Sequence, residues 1–288
     1  MSENLRIGFI GAGRVAKALT LALARAGENI VAVASRSVAS AQACATGAKG
    51  CQAVSDPQQV IDATDLVFLA VPDDAIAELA ASLRWRDDVM VVHCSGATEL
   101  TALEAARAAG AQTGSFHPLL MFADAQVAAG ALARGAIALE AGKPLLGVLE
   151  ALVKKLGAQS VFVPAGARAA YHAASHYGAA FICVLLDEGQ KILQMGGMKG
   201  EVSRKALLSL ARGTLDALEH ADPAHAMAGV YSRGDVGTAR RHLNALDTGD
   251  APIALLYREL ARRSVALALQ AGRIDAGKAD LLRDLLDE

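Results

Sequence analysis

The chain has 288 residues, a net charge of −2 with the signs interspersed, and 53% hydrophobic but only 4% aromatic residues. This is length enough for one large or two ordinary domains around a core of Ala, Leu and Val, and so weak a charge argues against nucleic-acid or membrane partners. The four cysteines, at 44, 51, 94 and 183, show neither a C-x-x-C pair nor a metal-ligand spacing, and no basic segment leads into an apolar run at the N-terminus, so a cytoplasmic protein with buried, reduced thiols is expected.

The first element read along the chain is an apolar strand, Ile7–Ile10, running into Gly11-Ala12-Gly13-Arg14-Val15-Ala16 and then a helical stretch, Val15–Ala26. Strand, glycine turn and helix in that order make G-x-G-x-x-A a dinucleotide fingerprint. Gly11 permits the tight turn, Gly13 lets backbone N–H groups reach a pyrophosphate, and Ala16 allows close helix–strand packing. The phosphates would then sit at the helix N-terminus, against Ala12, Arg14 and Val15. A second strand, Ile30–Ala34, ends in Ser35-Arg36-Ser37, where no acid stands ready to accept a ribose 2′-hydroxyl. Two hydroxyls and a guanidinium suit a 2′-phosphate, so NADP is expected over NAD. Ser37 also reads as the N-cap of the next helix.

Further β-type runs follow at Leu66–Ala70, Val89–His93, Thr113–Phe116, Ala136–Leu139 and Ser160–Val163. Helical runs at Val38–Thr46, Asp74–Leu83, Glu99–Ala109 and Pro144–Leu156 lie between them. Such alternation predicts a doubly wound α/β Rossmann sheet, mostly parallel, with its ligand edge at the carboxyl ends of the strands. Three stretches fall at that edge. Val71-Pro72-Asp73 would turn over the nucleotide, with Asp73 as a helix cap. Ser95 and Gly96 would lie beside a nicotinamide or form an ordinary strand-to-helix turn. His117 would stand on a proline-stiffened loop. After Pro164 the β signal stops, giving domains at 1–164 and 165–288, the second all-α. A helix from Ala167 to Met195, about 45 Å long, opens it; its apolar positions spread around most of its surface, so a homodimer is expected. Further helices are expected at Glu201–Glu219, Pro223–Ala228, Asp235–Leu246, Pro252–Ala271 and Asp275–Leu286. The apolar stretch Gly178–Leu186 is too short to span a bilayer. His172 and His176 share a helix face but lack further ligands at short spacing, so no metal is expected. Arg233-Gly234-Asp235 reads as a helix start capped by Asp235. Arg233, Thr238 and His242 are alternatively a carboxylate cradle.

These motifs together (the glycine loop, His93-Cys94-Ser95-Gly96, His117-Pro118-Leu119 with Phe122, Tyr171-His172, and Arg233-Gly234-Asp235 with Thr238, His242 and Leu246) resemble a family of two-domain bacterial proteins. These join a Rossmann-like NADP-oxidoreductase domain to a helical C-terminal domain of unknown function. The N-terminal half is similar to deazaflavin-dependent NADP oxidoreductases and pyrroline-5-carboxylate reductase, the C-terminal half to the helical domain of the 6-phosphogluconate dehydrogenase superfamily. The resemblance implies the fold, NADP as cofactor and a dimer, and leaves the substrate open. Relatives carry an Asn where this chain has Ala179-Ala180. The helix lysine of the related β-hydroxyacid dehydrogenases is also missing, since the first lysine there is Lys191, about five turns past His172.

The resulting expectation is an NADP-dependent reductase of a small anionic imine or carbonyl compound bound between the domains. His117, Tyr171, His172 and Ser95 would face it together with Arg233, Thr238 and His242. Either His117 or His172, with His172 preferred, would supply the proton. The alternatives are a non-catalytic NADP-binding sensor and an oxidoreductase linked to a deazaflavin.

Overall fold

The computed structural model describes residues 5–247 and 251–288. The chain divides into two compact units, Met1–Ala179 and Ala180–Glu288.

The first unit runs β1 (Arg6–Ile10), α1 (Arg14–Arg25), β2 (Asn29–Ala34), α2 (Val38–Ala45), β3 (Gln52–Val54), α3 (Pro57–Ala63), β4 (Leu66–Leu69), α4 (Ile76–Ser82), β5 (Met90–His93), α5 (Glu104–Ala108), β6 (Gln112–Leu119), α6 (Ala125–Ala131), β7 (Ala136–Ala141), α7 (Leu145–Lys155), β8 (Gln159–Phe162) and α8 (Arg168–Tyr177). The sheet order is β3-β2-β1-β4-β5-β6-β7-β8. The pairs from β3 to β6 are parallel, β6 meets β7 antiparallel, and β7 meets β8 parallel. This is the mostly parallel, doubly wound sheet that the alternation predicts.

Strand periodicity divides the core between the two faces. Ile7 and Phe9 of β1, Leu66 and Phe68 of β4 and Val92 of β5 join one buried cluster, which includes Leu19 and Leu23 of α1 and Leu149 of α7. Ile10, Val67, Leu69 and Val91 join the other, with Ile61, Ile76 and Leu103. Because helices cover both faces, the central strands are apolar at nearly every position. Within the first cluster Phe68 stacks on Phe9 with centroids 4.9 Å apart and meets Phe116 edge-on at 5.3 Å.

Several elements depart from the sequence reading. β3, α3 and α6 were not anticipated: β3 is a three-residue strand with little burial, and both helices are a mere seven residues, too short for a period to emerge. Asp73 does not cap a helix with its side chain; it opens a 3-10 turn, Asp73–Ala75, whose flanking Pro72 makes no side-chain cap. His117 lies inside β6, paired with Ala138 of β7, rather than on a loop. β5 ends opposite Ser115, so beyond that point one edge of β6 is released by its neighbour and Pro118 is tolerated in the strand. The single helix expected over 167–195 is interrupted at Gly178-Ala179, giving α8 and a separate α9.

The second unit is helical: α9 (Ala180–Met195), α10 (Gly200–Leu218), α11 (Pro223–Ala226), α12 (Val236–Leu246), α13 (Ala251–Gln270) and α14 (Ala276–Asp287). Leu243 of α12, Val265 and Ala268 of α13, and Leu282 and Leu285 of α14 form its buried core. α9 and α10 pack on each other, yet α9 buries no residue and α10 buries only Ser203.

Candidate functional site

The strand order reverses between β1 and β4, which opens a crevice at their carboxyl ends. The glycine loop fills its floor. Gly11 has φ +106°, and a Cβ there would stand 2.3 Å from the Ala70 carbonyl oxygen, so no other residue fits this turn. Its N–H donates to the Ala34 oxygen at 2.8 Å, tying the loop to the end of β2. Gly13 is the N-cap of α1 and has no side-chain cap, while nothing lies within 4 Å of a Cβ built there. The first N–H groups of α1 are therefore free of side-chain acceptors and approachable, as a pyrophosphate requires. Arg14 is exposed at this helix start, and Val15 turns inward to the core.

A cavity of about 440 Å³ adjoins the loop, lined by Gly11, Ala12 and Gly13, by Ser35 and Arg36 after β2, and by Val71 and Pro72 after β4. Ala75 and Leu79 add an apolar wall, and Ser40 and Ser55 add hydroxyls that the sequence reading missed. Ser37 does not line the cavity; its hydroxyl accepts from the Ser40 N–H at 3.2 Å and caps α2. Arg36 is exposed at the rim. An open glycine cradle, an apolar slot and a rim guanidinium fit the adenosine half of a dinucleotide.

A second group of side chains gathers where β5 and β6 end. His117 Nδ1 and the Tyr171 hydroxyl are 2.7 Å apart. The His117 and His172 rings stand edge to face with centroids 6.0 Å apart, and His172 meets His176 at 5.0 Å. Gly96 sits between them: a Cβ there would fall 2.7 Å from His172 Cδ2 and 2.8 Å from His117 Cε1. Burial, the His172 imidazole and the Arg168 cation together hold the His117 pKa down to about 4, so this ring is neutral near neutral pH. Burial pushes the Tyr171 phenol up to about 12. A phenol that keeps its proton can donate to Nδ1, which leaves the imidazole proton on Nε2. Ser95 is buried, and its hydroxyl is engaged locally, donating to Thr98 Oγ1 at 2.8 Å and accepting from the Ala97 and Thr98 N–H groups. Among the described residues no group of three or more His, Cys, Asp or Glu side chains is placed to hold a metal.

The Gly96 geometry makes a direct prediction. Gly96→Ala should cost about 1–3 kcal/mol, the usual penalty of overpacking. It should also displace the imidazole resonances of His117 and His172. Unchanged imidazole resonances would show that the rings do not crowd this glycine.

Beneath this group lie Arg168, which the sequence reading did not single out, and His93, which entered it only as the first residue of the His93-Cys94-Ser95-Gly96 motif. Arg168, the first residue of α8, is fully buried and ion-paired through Nε to Glu140 Oε2 at 2.6 Å. His93, at the end of β5, is also fully buried, and neither ring nitrogen has a hydrogen-bond partner among the described residues. Burial, aided by Arg168 and His117, lowers the His93 pKa from 6.5 to about 3. The unfolded chain therefore binds a proton that the folded chain refuses. The first unit should lose stability as pH falls from about 6.5 toward 3, by up to about 1.4 kcal/mol per pH unit. Urea unfolding across that range should show a flatter dependence in His93→Leu, and equal slopes would contradict this origin.

The remaining candidates belong to the second unit. Asp235 caps α12, accepting from the Thr238 N–H at 2.9 Å, and the Thr238 hydroxyl accepts from Arg241 Nη2 at 2.5 Å. The helix-start reading of Arg233-Gly234-Asp235 thus describes the local structure. Arg233 is exposed, ending a 3-10 turn. His242 Nδ1 lies 2.7 Å from the Tyr257 hydroxyl, which in turn accepts from Tyr231 at 3.2 Å.

A glycine loop at the switch point of a doubly wound sheet, beside an adenosine-sized slot, defines a Rossmann-type dinucleotide-binding protein. Residues 6–96 match the NADP oxidoreductase coenzyme F420-dependent family, and residues 136–264 match a domain of unknown function, DUF2520. The chain therefore joins an oxidoreductase nucleotide domain to a DUF2520 domain, the two-domain architecture its motifs resemble. It is 26% identical to mouse (Mus musculus) pyrroline-5-carboxylate reductase 3 over 259 residues, covering 86% of this chain and 90% of that one. Its fold is similar to that of a Bacteroides fragilis protein classed with the NADP oxidoreductases, with TM-score 0.73 and 23% identity over 91% of this chain and 98% of the other. It is also similar to an imine reductase from a Pseudomonas species, with TM-score 0.65 and 18% identity over 97% of this chain and 98% of the other.

Proposed function

We propose that the protein is an NADP-dependent reductase acting on a small carboxylate-bearing imine or carbonyl compound. The observation that carries this reading is the His117–Tyr171–His172 group at the carboxyl ends of β5 and β6, the sheet edge that the glycine loop also borders. The similarity to pyrroline-5-carboxylate reductase and to an imine reductase supports a C=N bond as the group reduced.

When bound, the dihydronicotinamide supplies the hydride; everything else falls to the side chains. Arg36 at the cavity rim selects the 2′-phosphate. His117 stays neutral and is fixed by Tyr171. That leaves His172, whose ring holds no hydrogen bond among the described residues, to deliver the proton to the substrate nitrogen or oxygen. In the second unit, exposed Arg233 offers a planar fork of donors, the geometry that matches a carboxylate. The test is a screen of NADPH oxidation with cyclic imino acids, 2-keto acids and their decarboxylated analogues. Turnover confined to the carboxylates supports the reading, and equal turnover of the decarboxylated analogues contradicts it. NADPH binding without turnover of any compound would favour the sensor reading.

We also propose a homodimer built on α9 and α10. Phe181, Val184 and Leu185 of α9 are 42%, 49% and 44% exposed in the single chain, and Leu210 and Leu215 of α10 are 69% and 52% exposed. Patches of this kind mark association surfaces. By length and apolar composition the stretch Arg168–Met195 would also suffice to cross a membrane, but the turn at Gly178-Ala179 divides it into α8 and α9; a second copy accounts for the apolar character of α9 without a bilayer. Sedimentation in detergent-free buffer should give twice 29.6 kDa, and a monomer or a protein retained on vesicles would contradict it.

A further inference from the structure

We propose that Arg168 is the positioning residue of the histidine site: its one buried guanidinium sets the register at which α8 offers Tyr171 and His172 to His117. The proposal deepens the reductase reading and rests on it for the role of His172.

The three donor nitrogens of Arg168 reach three different elements. Nε donates to Glu140 on β7 at 2.6 Å, Nη1 donates to the Ser95 carbonyl oxygen after β5 at 3.2 Å, and Nη2 donates to the Ser115 hydroxyl on β6. Each contact adjoins the site. Ser95 immediately precedes Gly96, against which both imidazoles pack. Ser115 is two residues before His117 and so on the same face of β6. Glu140 is the cross-strand partner of Ser115 in the β6–β7 ladder. On the helix side, Tyr171 and His172 are three and four residues after Arg168, hence on its face of α8. The backbone is held as well, since Glu99 accepts from the Gly166 and Arg168 N–H groups at 3.2 and 3.3 Å and closes the start of α8.

A fully buried cation with a complete set of acceptors has one low-energy placement. Its fork cannot rotate without stranding Glu140, so the helix cannot slide along the sheet edge. Lysine, a single donor centre, could satisfy Glu140 or the serine oxygens but not all three at once. The charge has a further effect. Together with burial and the His172 imidazole, it opposes protonation of His117, while Asp73 after β4 favours it. His93 of β5, Glu140 of β7, Tyr171 of α8 and Glu99, which holds the Arg168 backbone, are the other ionisable groups beside this residue.

The experiment is nitrogen NMR of the His117 imidazole in the full-length protein, with NADPH affinity measured in parallel to show that the glycine-loop cleft is formed. The unaltered protein should show one tautomer, with Nδ1 accepting from Tyr171 and the proton on Nε2. Arg168→Gln should average the two tautomers and move the His117 titration up from about 4 toward the ordinary imidazole value. Arg168→Lys should leave the tautomers averaged, because the fork is missing. Should Arg168→Gln fail to fold, Ser115→Ala removes one acceptor while keeping the charge and should still produce partial averaging. His117 signals unchanged from the unaltered protein in the folded variants would overturn the proposal. These signals are read without substrate, so failure of the reductase reading in the substrate screen would not alter them.

Discussion

Replacing Arg36 with alanine is expected to erase most of the preference for NADPH over NADH while barely changing the affinity for NADH. Arg36 lines the rim of the glycine-loop cavity beside Ser35, at the end of β2 where the adenosine ribose is held in this fold. A charge-assisted hydrogen bond to a phosphate contributes about 1.5–3 kcal/mol, which corresponds to roughly ten- to a hundredfold in affinity. Ser37 should matter far less. Its hydroxyl already accepts from the Ser40 N–H, so Ser37→Ala should cost about 1 kcal/mol of stability through the lost cap and leave the nucleotide ratio nearly unchanged. Isothermal titration with both nucleotides separates the two effects. Equal affinity of the unaltered protein for NADPH and NADH would remove the assigned role of Arg36.

His172→Ala should give the largest loss of turnover, about 10²- to 10⁴-fold, the range for removal of a positioned acid. The neighbouring ring cannot replace it. His117 has its Nδ1 committed to Tyr171 and stays neutral down to a pH of about 4. Nucleotide affinity should hold, because the adenosine slot uses other elements. The check is single-turnover NADPH oxidation with a saturating imino acid, so that hydride transfer is read apart from product release. A His172→Ala enzyme with the full single-turnover rate would transfer the assignment to His117 or to solvent.

Much of the nucleotide half was legible in the sequence because its requirements are local. A strand, two glycines, a small residue and a helix stand in unbroken order from Ile7, and each residue answers a steric demand that the structure displays, as at Gly11. The histidine half was legible only in part. His117 stood out beside its proline and His172 by its spacing to His176, whereas Tyr171 was marked only by the family resemblance. Their meeting, however, depends on β6 continuing as a strand through Pro118, which local propensity argues against and release of one strand edge by β5 permits. Arg168 was invisible for a different reason. A charged residue at the start of an Ala-rich helix reads as solvated, and only pairing with Glu140, itself 28 positions away, allows its burial. His93 is marked in the sequence only by the family motif that it opens, and nothing local signals that its ring is enclosed. The break at Gly178-Ala179 was marked by a glycine, but the apolar pattern continues across it and suggested one helix.

The reaction proposed for this protein is hydride transfer from NADPH to a carboxylate-bearing C=N or C=O carbon. It is tested most directly with NADPH deuterated at the transferring position of C4, a panel of cyclic imino acids and 2-keto acids, and mass spectrometry of the products. The product should be a reduced amino or hydroxy acid carrying deuterium on the former C=N or C=O carbon, in amounts that match the NADPH consumed. Tight NADPH binding with no labelled product from any member of the panel, or label passing only to a deazaflavin, would contradict it.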